Sequence, residues 1–393
     1  MKRLLNPLIF SAFALLTFIS CDDDDEKPGL RTKIDYAALT PETTYSTLFE
    51  DASGNSTVDF AEGSRRLQMF QALNYYSTSS VSAGTPIDAD VLKNMFSNTG
   101  HPFTDISTTT ISVSGDALNA SGLNLRNVVA SSIPNPADAE VVREKIESHF
   151  TAIDIASQSL SETASPGVAG KLGRFLVDSR GIEVAQVIQK SLIGALQLDY
   201  IGNVLLDEGL KADNTQLVGD KNYTQLEHNW DVAYGLLTLN PIYLDGATAT
   251  ERNTVEFGAG SYLWEYNKEN FAKIYPAFLK GRAAIVNNDR DQFESLATFI
   301  RLEFEEAIAK AALGYLDKWK QATLPDQDDV RAHAIGEGVG FIYALRFAEL
   351  HEADQAFSDQ ILENLIGSGN GFWDLDAAKI NAASEAIEAK FGF

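Results

Sequence analysis

The feature that most limits how this chain can fold is a pair of helical segments that occurs twice. IEVAQVIQKSLIGAL (residues 182–196) aligns without gaps to LEFEEAIAKAALGYL (residues 302–316), so that Glu183 meets Glu303, Ile188 meets Ile308, Lys190 meets Lys310, Gly194 meets Gly314 and Leu196 meets Leu316. Further on, HNWDVAYGLL (residues 228–237) aligns to HAIGEGVGFI (residues 333–342), matching His228 with His333 and Gly235 with Gly340. A Glu-bearing helix is followed by a His-bearing helix both times; 45 residues separate Glu183 from His228, and 30 separate Glu303 from His333. Self-similarity of this kind marks duplicated supersecondary units. It predicts an all-α protein built from two related helical-bundle units.

Helix geometry gives the matched letters a physical meaning. At about 100° per residue, positions i, i+7 and i+11 fall within about 20° of one line. Glu183, Lys190 and Gly194 therefore share a stripe, as do Glu303, Lys310 and Gly314. His228 with Gly235, and His333 with Gly340, share stripes in the same way. A glycine inside a helix costs about 1 kcal/mol relative to alanine, so a repeated one marks close approach by another helix. Asp231 follows His228 by three residues and Glu337 follows His333 by four, spacings that put acid and imidazole on one face. Two clusters are thus expected: His228 and Asp231 with Glu183, and His333 and Glu337 with Glu303.

Imidazole plus carboxylates on facing helices can hold iron, zinc or manganese. The same groups can also satisfy one another as a buried polar network, since buried charges need partners. A third reading is a metallopeptidase, in which an acid near His228 activates a metal-bound water. All three stay open on the sequence. No His-Glu-x-x-His pattern and no Gly-x-Ser-x-Gly elbow is present. Asn287, Asp289 and Asp291 alternate as in a calcium loop, but Gln292 and Thr298 stand where Gly and the final acid belong, so a helix N-terminus is expected there.

The rest of the chain fits around these units. Helical periodicity covers about 58–76, 88–96, 137–158, 179–210, 224–239, 261–287, 291–321, 330–351 and 377–390, with breakers such as Asn240-Pro241 and Pro325-Asp326 between segments. Residues 77–85 read as a polar loop, and 101–136 as an extended, loop-like insertion with a strand pair. The four tryptophans lie in apolar-periodic contexts and read as core, while His101, His149 and His351 read as surface residues. The expected organisation is a mixed, loop-rich N-terminal segment at 30–136, a first helical unit at 137–255 and a second at 256–393.

The beginning of the chain speaks to location. Lys2 and Arg3 precede an apolar run from Leu8 to Ile19, then Ser20 and Cys21, the single cysteine. This reads as a signal peptide over 1–20 with Cys21 lipidated. Residues 21–29, opening with Asp22-Asp23-Asp24-Asp25-Glu26, form a self-repelling acidic tether. The expected location is the outer membrane, periplasmic or facing outward. One cysteine allows no internal disulfide, so the core alone must hold the fold. Of the 393 residues 31 are Lys or Arg and 55 are Asp or Glu. Losing residues 1–20 brings the formal charge from −24 to near −26. Such a surface repels nucleic-acid phosphates and anionic headgroups, so the chain is no nucleic-acid binder.

An exported helical protein of two related units, with His-x-x-acid at the start of one helix, resembles the imelysin-like family. More closely, it is similar to a group of uncharacterised exported lipoproteins of about 400 residues that share GSRRLQMF, GIEVAQVIQK, EHNWDVAYG, FLKGRAAIVNND and HAIGEGVGFIYALRF. Imelysin-like proteins carry Gly-x-His-x-x-Glu, are tied to iron uptake, and are described as peptidases or metal-binding proteins. The resemblance carries over to His228 and Asp231, with Leu226 at the Gly position and Asp231 at the Glu position. It implies an envelope lipoprotein that binds a divalent metal ion (iron or zinc) or a metal-carrying ligand beside an outer-membrane uptake receptor. The alternatives it implies are a metallopeptidase or an adaptor of an outer-membrane complex.

Overall fold

The computed structural model describes residues 30–109, 111–237, 257–267, 269–322 and 326–393; the expected signal peptide, Cys21 and the expected acidic tether lie outside them. The fold is mainly helical, as the periodicity predicts. Among the described residues there are thirteen α-helices: α1 (Tyr45–Leu48), α2 (Ala61–Ala83), α3 (Ala89–Ser97), α4 (Gly115–Asn119), α5 (Pro136–Ser157), α6 (Val184–Leu192), α7 (Gln225–Leu237), α8 (Ala259–Tyr266), α9 (Phe271–Asn287), α10 (Arg290–Gln321), α11 (Asp328–Ala344), α12 (Gln355–Ile366) and α13 (Ala377–Phe391). Two small antiparallel hairpins accompany them: β1 (Ile106–Ser107) with β2 (Ser112–Val113), and β3 (Gly170–Leu172) with β4 (Phe175–Val177). One continuous set of buried apolar side chains runs from Tyr45 to Phe391. None of the described helices is long and apolar enough to cross a membrane.

Local chemistry sets the helix ends. Asp289 caps α10 by accepting from the Gln292 amide at 3.3 Å, which settles the Asn287–Asp291 stretch as a helix start. Asn135 caps α5 ahead of Pro136, and α13 runs from an Asp376 cap to Gly392 in the left-handed region at φ 77°. The polar run at 77–83 is helical rather than a loop. Ser77, Thr78 and Ser82 donate back to the carbonyls of Leu73, Asn74 and Thr78, which accommodates hydroxyls inside a helix. The periodic stretch at 261–287 is broken in two at Asn267, whose side chain leaves the helix to bind Glu303. The strand pair expected within 101–136 is β1–β2, and α4 follows it.

Helix α6 continues into a π-helical segment, Ile193–Leu205. Gln197, Asp199 and Asn203 are buried on it, each with partners. The Gln197 amide donates to the Leu236 carbonyl at 3.0 Å and its oxygen accepts from the Ala259 amide at 2.9 Å, joining the end of α7 to the start of α8. Asp199 accepts from the Ser132 hydroxyl and from the Ser132 amide at 3.2 Å. Burial outweighs these bonds and raises the Asp199 pKa to about 6.

A carboxyl whose folded pKa lies above its unfolded value adds stability below the unfolded value, near 4, and loses it as pH rises through the folded one. Burial also raises Glu183 against the pull of His333. His149 works against this, since burial lowers its pKa to about 3 and it opposes folding as pH falls below about 6.5. The Asp199 contribution is therefore read as a difference: in urea denaturation wild type is expected to gain about 1–1.5 kcal/mol over Asp199→Asn on going from pH 7.5 to pH 5. Parallel pH profiles for wild type and Asp199→Asn would contradict the assignment. Glu62 works in the opposite window. The hydrogen bond from His228, helped by Arg66 and opposed by burial, lowers it to about 2, so its contribution is lost only in stronger acid.

Candidate functional site

Two histidines occupy equivalent stations, and each pairs with a glutamate at the start of the helix it crosses. His333 on α11 faces Glu183, the residue preceding α6, with Nδ1 and a carboxylate oxygen 2.6 Å apart. His228 on α7 faces Glu62 at the start of α2, with Nε2 3.5 Å from the carboxylate. Each imidazole lies flat on an aromatic ring: His333 on Phe175 of β4 at 4.2 Å, and His228 on Tyr223 at 4.5 Å. The glycines seven residues on make both crossings possible. A Cβ on Gly340 would stand 2.5 Å from the Lys190 Cβ and 3.0 Å from the Val187 carbonyl, and a Cβ on Gly235 would stand 2.4 Å from the Phe60 carbonyl.

The glycines lie at helix crossings as expected, but the acids face other partners than the stripes predict. Glu183 belongs with His333 rather than His228. Glu303 belongs with neither; it accepts from Asn267 and, at 2.8 Å, from Asn270. Asp231 turns away from His228 into a closed network. The fully buried Arg282 of α9 donates to Asp231 at 3.0 Å and to Glu227 at 2.9 Å, and its other arm reaches Thr57. Tyr45 donates to Asp231 at 2.6 Å, the Asp59 amide binds its second oxygen at 3.1 Å, and Arg31 reaches Glu227 at 3.1 Å. Burial opposes the charge on Glu227, yet Arg282 and Arg31 hold its pKa below the ordinary value. This cluster is a saturated structural network.

The His333 station differs because it opens onto a cleft. Glu337, one turn along α11, lies 3.7 Å from His333 Nε2 and is gripped on its other oxygen by Lys190 at 2.9 Å. Lys190 also donates to Gln189 and, at 2.9 Å, to Gln186, and its Nζ sits 5.2 Å from the Tyr262 ring centre. Burial works against the ammonium, but Tyr262 and Glu337 outweigh it and raise its pKa. The cleft, about 430 Å³, is formed by the end of α10 and the start of α11, with His333, Glu337, Tyr315 and Lys318 on its walls. The His333 side chain keeps 29% of its surface exposed, against 15% for His228.

Charge and geometry limit what this site can hold. Glu183 and Glu337 meet opposite edges of the His333 ring, so the three cannot converge on one ion. Among the described residues no group of three or more His, Cys, Asp or Glu has the geometry of a metal cage. What remains is a carboxylate-oriented imidazole whose Nε2 and a neighbouring Glu337 face the same cleft. A carboxylate on one ring nitrogen fixes the tautomer and strengthens the other nitrogen as a donor. Two donors are available there, fewer than a resident ion usually takes.

Two contributors to these stations, and one further histidine pair, are not visible in the spacing. Glu62 was set apart with the N-terminal segment, although it stands in the first turn of a periodic helix much as Glu183 stands at the start of α6. Phe175 arrives on a hairpin whose signal, Gly173-Arg174 between apolar residues, is a two-residue turn. His351 is no ordinary surface residue: its Nδ1 lies 2.7 Å from the buried Glu305, which also accepts the Leu350 and His351 amides.

The glycines allow a clean contrast. Gly338 and Gly340 stand on one helix, but a Cβ on Gly338 would make ordinary contacts at 3.6 Å with Tyr315. Gly338→Ala is expected to gain about 0.5–1 kcal/mol, while Gly340→Ala should lose about 2–3 kcal/mol by forcing α6 and α11 apart. Equal effects in thermal melts would show that the crossing is not glycine-dependent.

Comparison with known families defines the class. Residues 43–393 match the family described as Domain of unknown function (DUF4856), which covers nearly the whole described fold. The chain belongs to that family. No curated protein and no solved structure is detectably similar to it.

Proposed function

We propose that this protein is an envelope-anchored lipoprotein that takes a divalent metal, iron or zinc, in a partly chelated, ligand-borne form. The observation that carries this reading is His333 Nε2 and Glu337 side by side on a cleft of about 430 Å³, with Glu183 orienting the imidazole and Lys190 holding the carboxylate. Two protein donors suit a metal that brings its remaining ligands with it, and the cleft is large enough for a small organic carrier. His333 and Glu337 would face the metal. Asp231, Glu303 and His228 drop out of the donor set because none of them lines the cleft. Asp231 is taken by Arg282, Glu303 by two asparagines, and His228 meets Glu62 through Nε2 with its Nδ1 buried. Anchoring through Cys21 at the outer membrane, kinship with imelysin-like and exported lipoproteins, and service to an uptake receptor belong to the same proposal and rest on the sequence.

The test is calorimetric titration of the full chain with free Zn(II) and with Zn(II)–nitrilotriacetate, in wild type and in His333→Ala, Glu337→Gln and His228→Ala. The chelate is expected to bind more tightly than the free ion. Losing His333 or Glu337 should weaken it about ten-fold, as loss of one donor does, while His228→Ala leaves it unchanged. Absence of binding in wild type, or equal loss in His228→Ala, would overturn the reading.

A further inference from the structure

A second cleft, also about 430 Å³, lies between α5, the segment 178–182 that leads into α6, α6 itself, α11 and α12, and shares no lining residue with the first. Its apolar wall is built by Ile182, Val184, Val187, Val339, Leu362 and Ile366. Two polar groups on its walls are buried without a hydrogen-bond partner: the Tyr343 hydroxyl and the Arg180 Nε. Tyr343 is 4% exposed, so its hydroxyl is shielded from bulk solvent. Arg180 is anchored through Nη2, which donates to the carbonyls of Ile366 and Ser368 and fixes its position beside the cavity.

Both unpartnered groups are donors. An arginine Nε can only donate, and a phenol without a partner donates readily. Leaving buried donors unpaired is costly, so the site is complementary to a molecule that brings an acceptor. Lys145 adds basic character to the rim, while His149 beside it is held neutral, burial lowering its pKa to about 3. The acids there are largely committed: Asp178 accepts the Arg180 and Ile182 amides at 2.9 Å, and Asp359 is paired with Arg346 at 2.6 Å. Glu363 also lines the cleft. We infer that this cleft binds a small apolar carboxylic acid, with the hydrocarbon against the valine and leucine wall and the carboxylate toward Tyr343 and Arg180.

The experiment is titration of the full chain with octanoate, octanol and octylammonium, repeated with Tyr343→Phe and with Ala152→Trp, which fills the cleft from α5. Octanoate is expected to bind about ten-fold more tightly than octanol, and Tyr343→Phe should remove most of that preference without lowering the melting temperature. Ala152→Trp should abolish binding of both. Equal affinity for acid and alcohol, preference for the ammonium, octanoate binding indifferent to Tyr343→Phe, or no binding at all would each overturn the inference. The outcome is independent of the zinc titrations, because the two clefts have different walls.

Discussion

Arg282→Met is expected to destabilise the protein by about 3–5 kcal/mol, because it leaves Glu227 and Asp231 buried with their central cation gone. Arg282 and Asp231 are fully buried and Glu227 is 1% exposed, so water cannot replace the lost bonds. Arg31 retains Glu227, and Tyr45 with the Asp59 amide retains Asp231, but no cation remains on the aspartate. The network also ties residues 31–59 to α7 and α9, so part of the loss should appear as earlier exposure of the first thirty described residues to protease. An exposed pair gives the control. Arg290 and Glu294, about half exposed, should cost at most about 0.5 kcal/mol when broken. A loss under 1 kcal/mol for Arg282→Met in urea denaturation would show that the network is not what holds these elements together.

The second large effect is expected at the α2–α7 crossing. A Cβ on Gly63 would lie 2.2 Å from the Val232 carbonyl and 2.6 Å from the Leu236 amide, while one on Gly235 would press on Phe60. These are backbone atoms on packed helices, so neither side can yield by turning a rotamer. Gly63→Ala should therefore cost about 3 kcal/mol, at the upper end of overpacking penalties, and it should also part His228 from Glu62. The His228 pKa supplies a second readout. Burial lowers it, but Glu62, Asp59 and Asp231 raise it further, so it stands above an ordinary imidazole. Stability from this pair is present below the unfolded value, near 6.5, and fades as pH rises through the folded one. Gly63→Ala should bring the His228 titration down toward the ordinary range. A folded variant with an unchanged melting temperature and unchanged titration would refute the crossing.

What the sequence made legible, and what it hid, follows from the range of each physical rule. Periodicity acts within one helix, so α10 and α13 were placed almost to the residue. Glycine at a fixed spacing from histidine is also local, and it marked Gly235 and Gly340 as contact points. The partner across a crossing is set by tertiary packing, which no spacing on one helix encodes. Glu183 aligned with Glu303 as a sequence, yet Glu183 faces His333 and Glu303 faces two asparagines. Asp231 shows the same limit. Its spacing from His228 allows both to serve one ligand, but Arg282, 51 residues later, takes it instead.

The claim on which the functional reading turns is that His333, among the five histidines, offers a ring nitrogen to a ligand in the open cleft. Long-range nitrogen–proton NMR of the histidine side chains, recorded before and after adding Zn(II)–nitrilotriacetate, addresses it directly. The account predicts a large shift of His333 Nε2, retention of the proton shared between Nδ1 and Glu183, and no change at His228. A shift at His228 with His333 unmoved, or no shift at either ring, would contradict it.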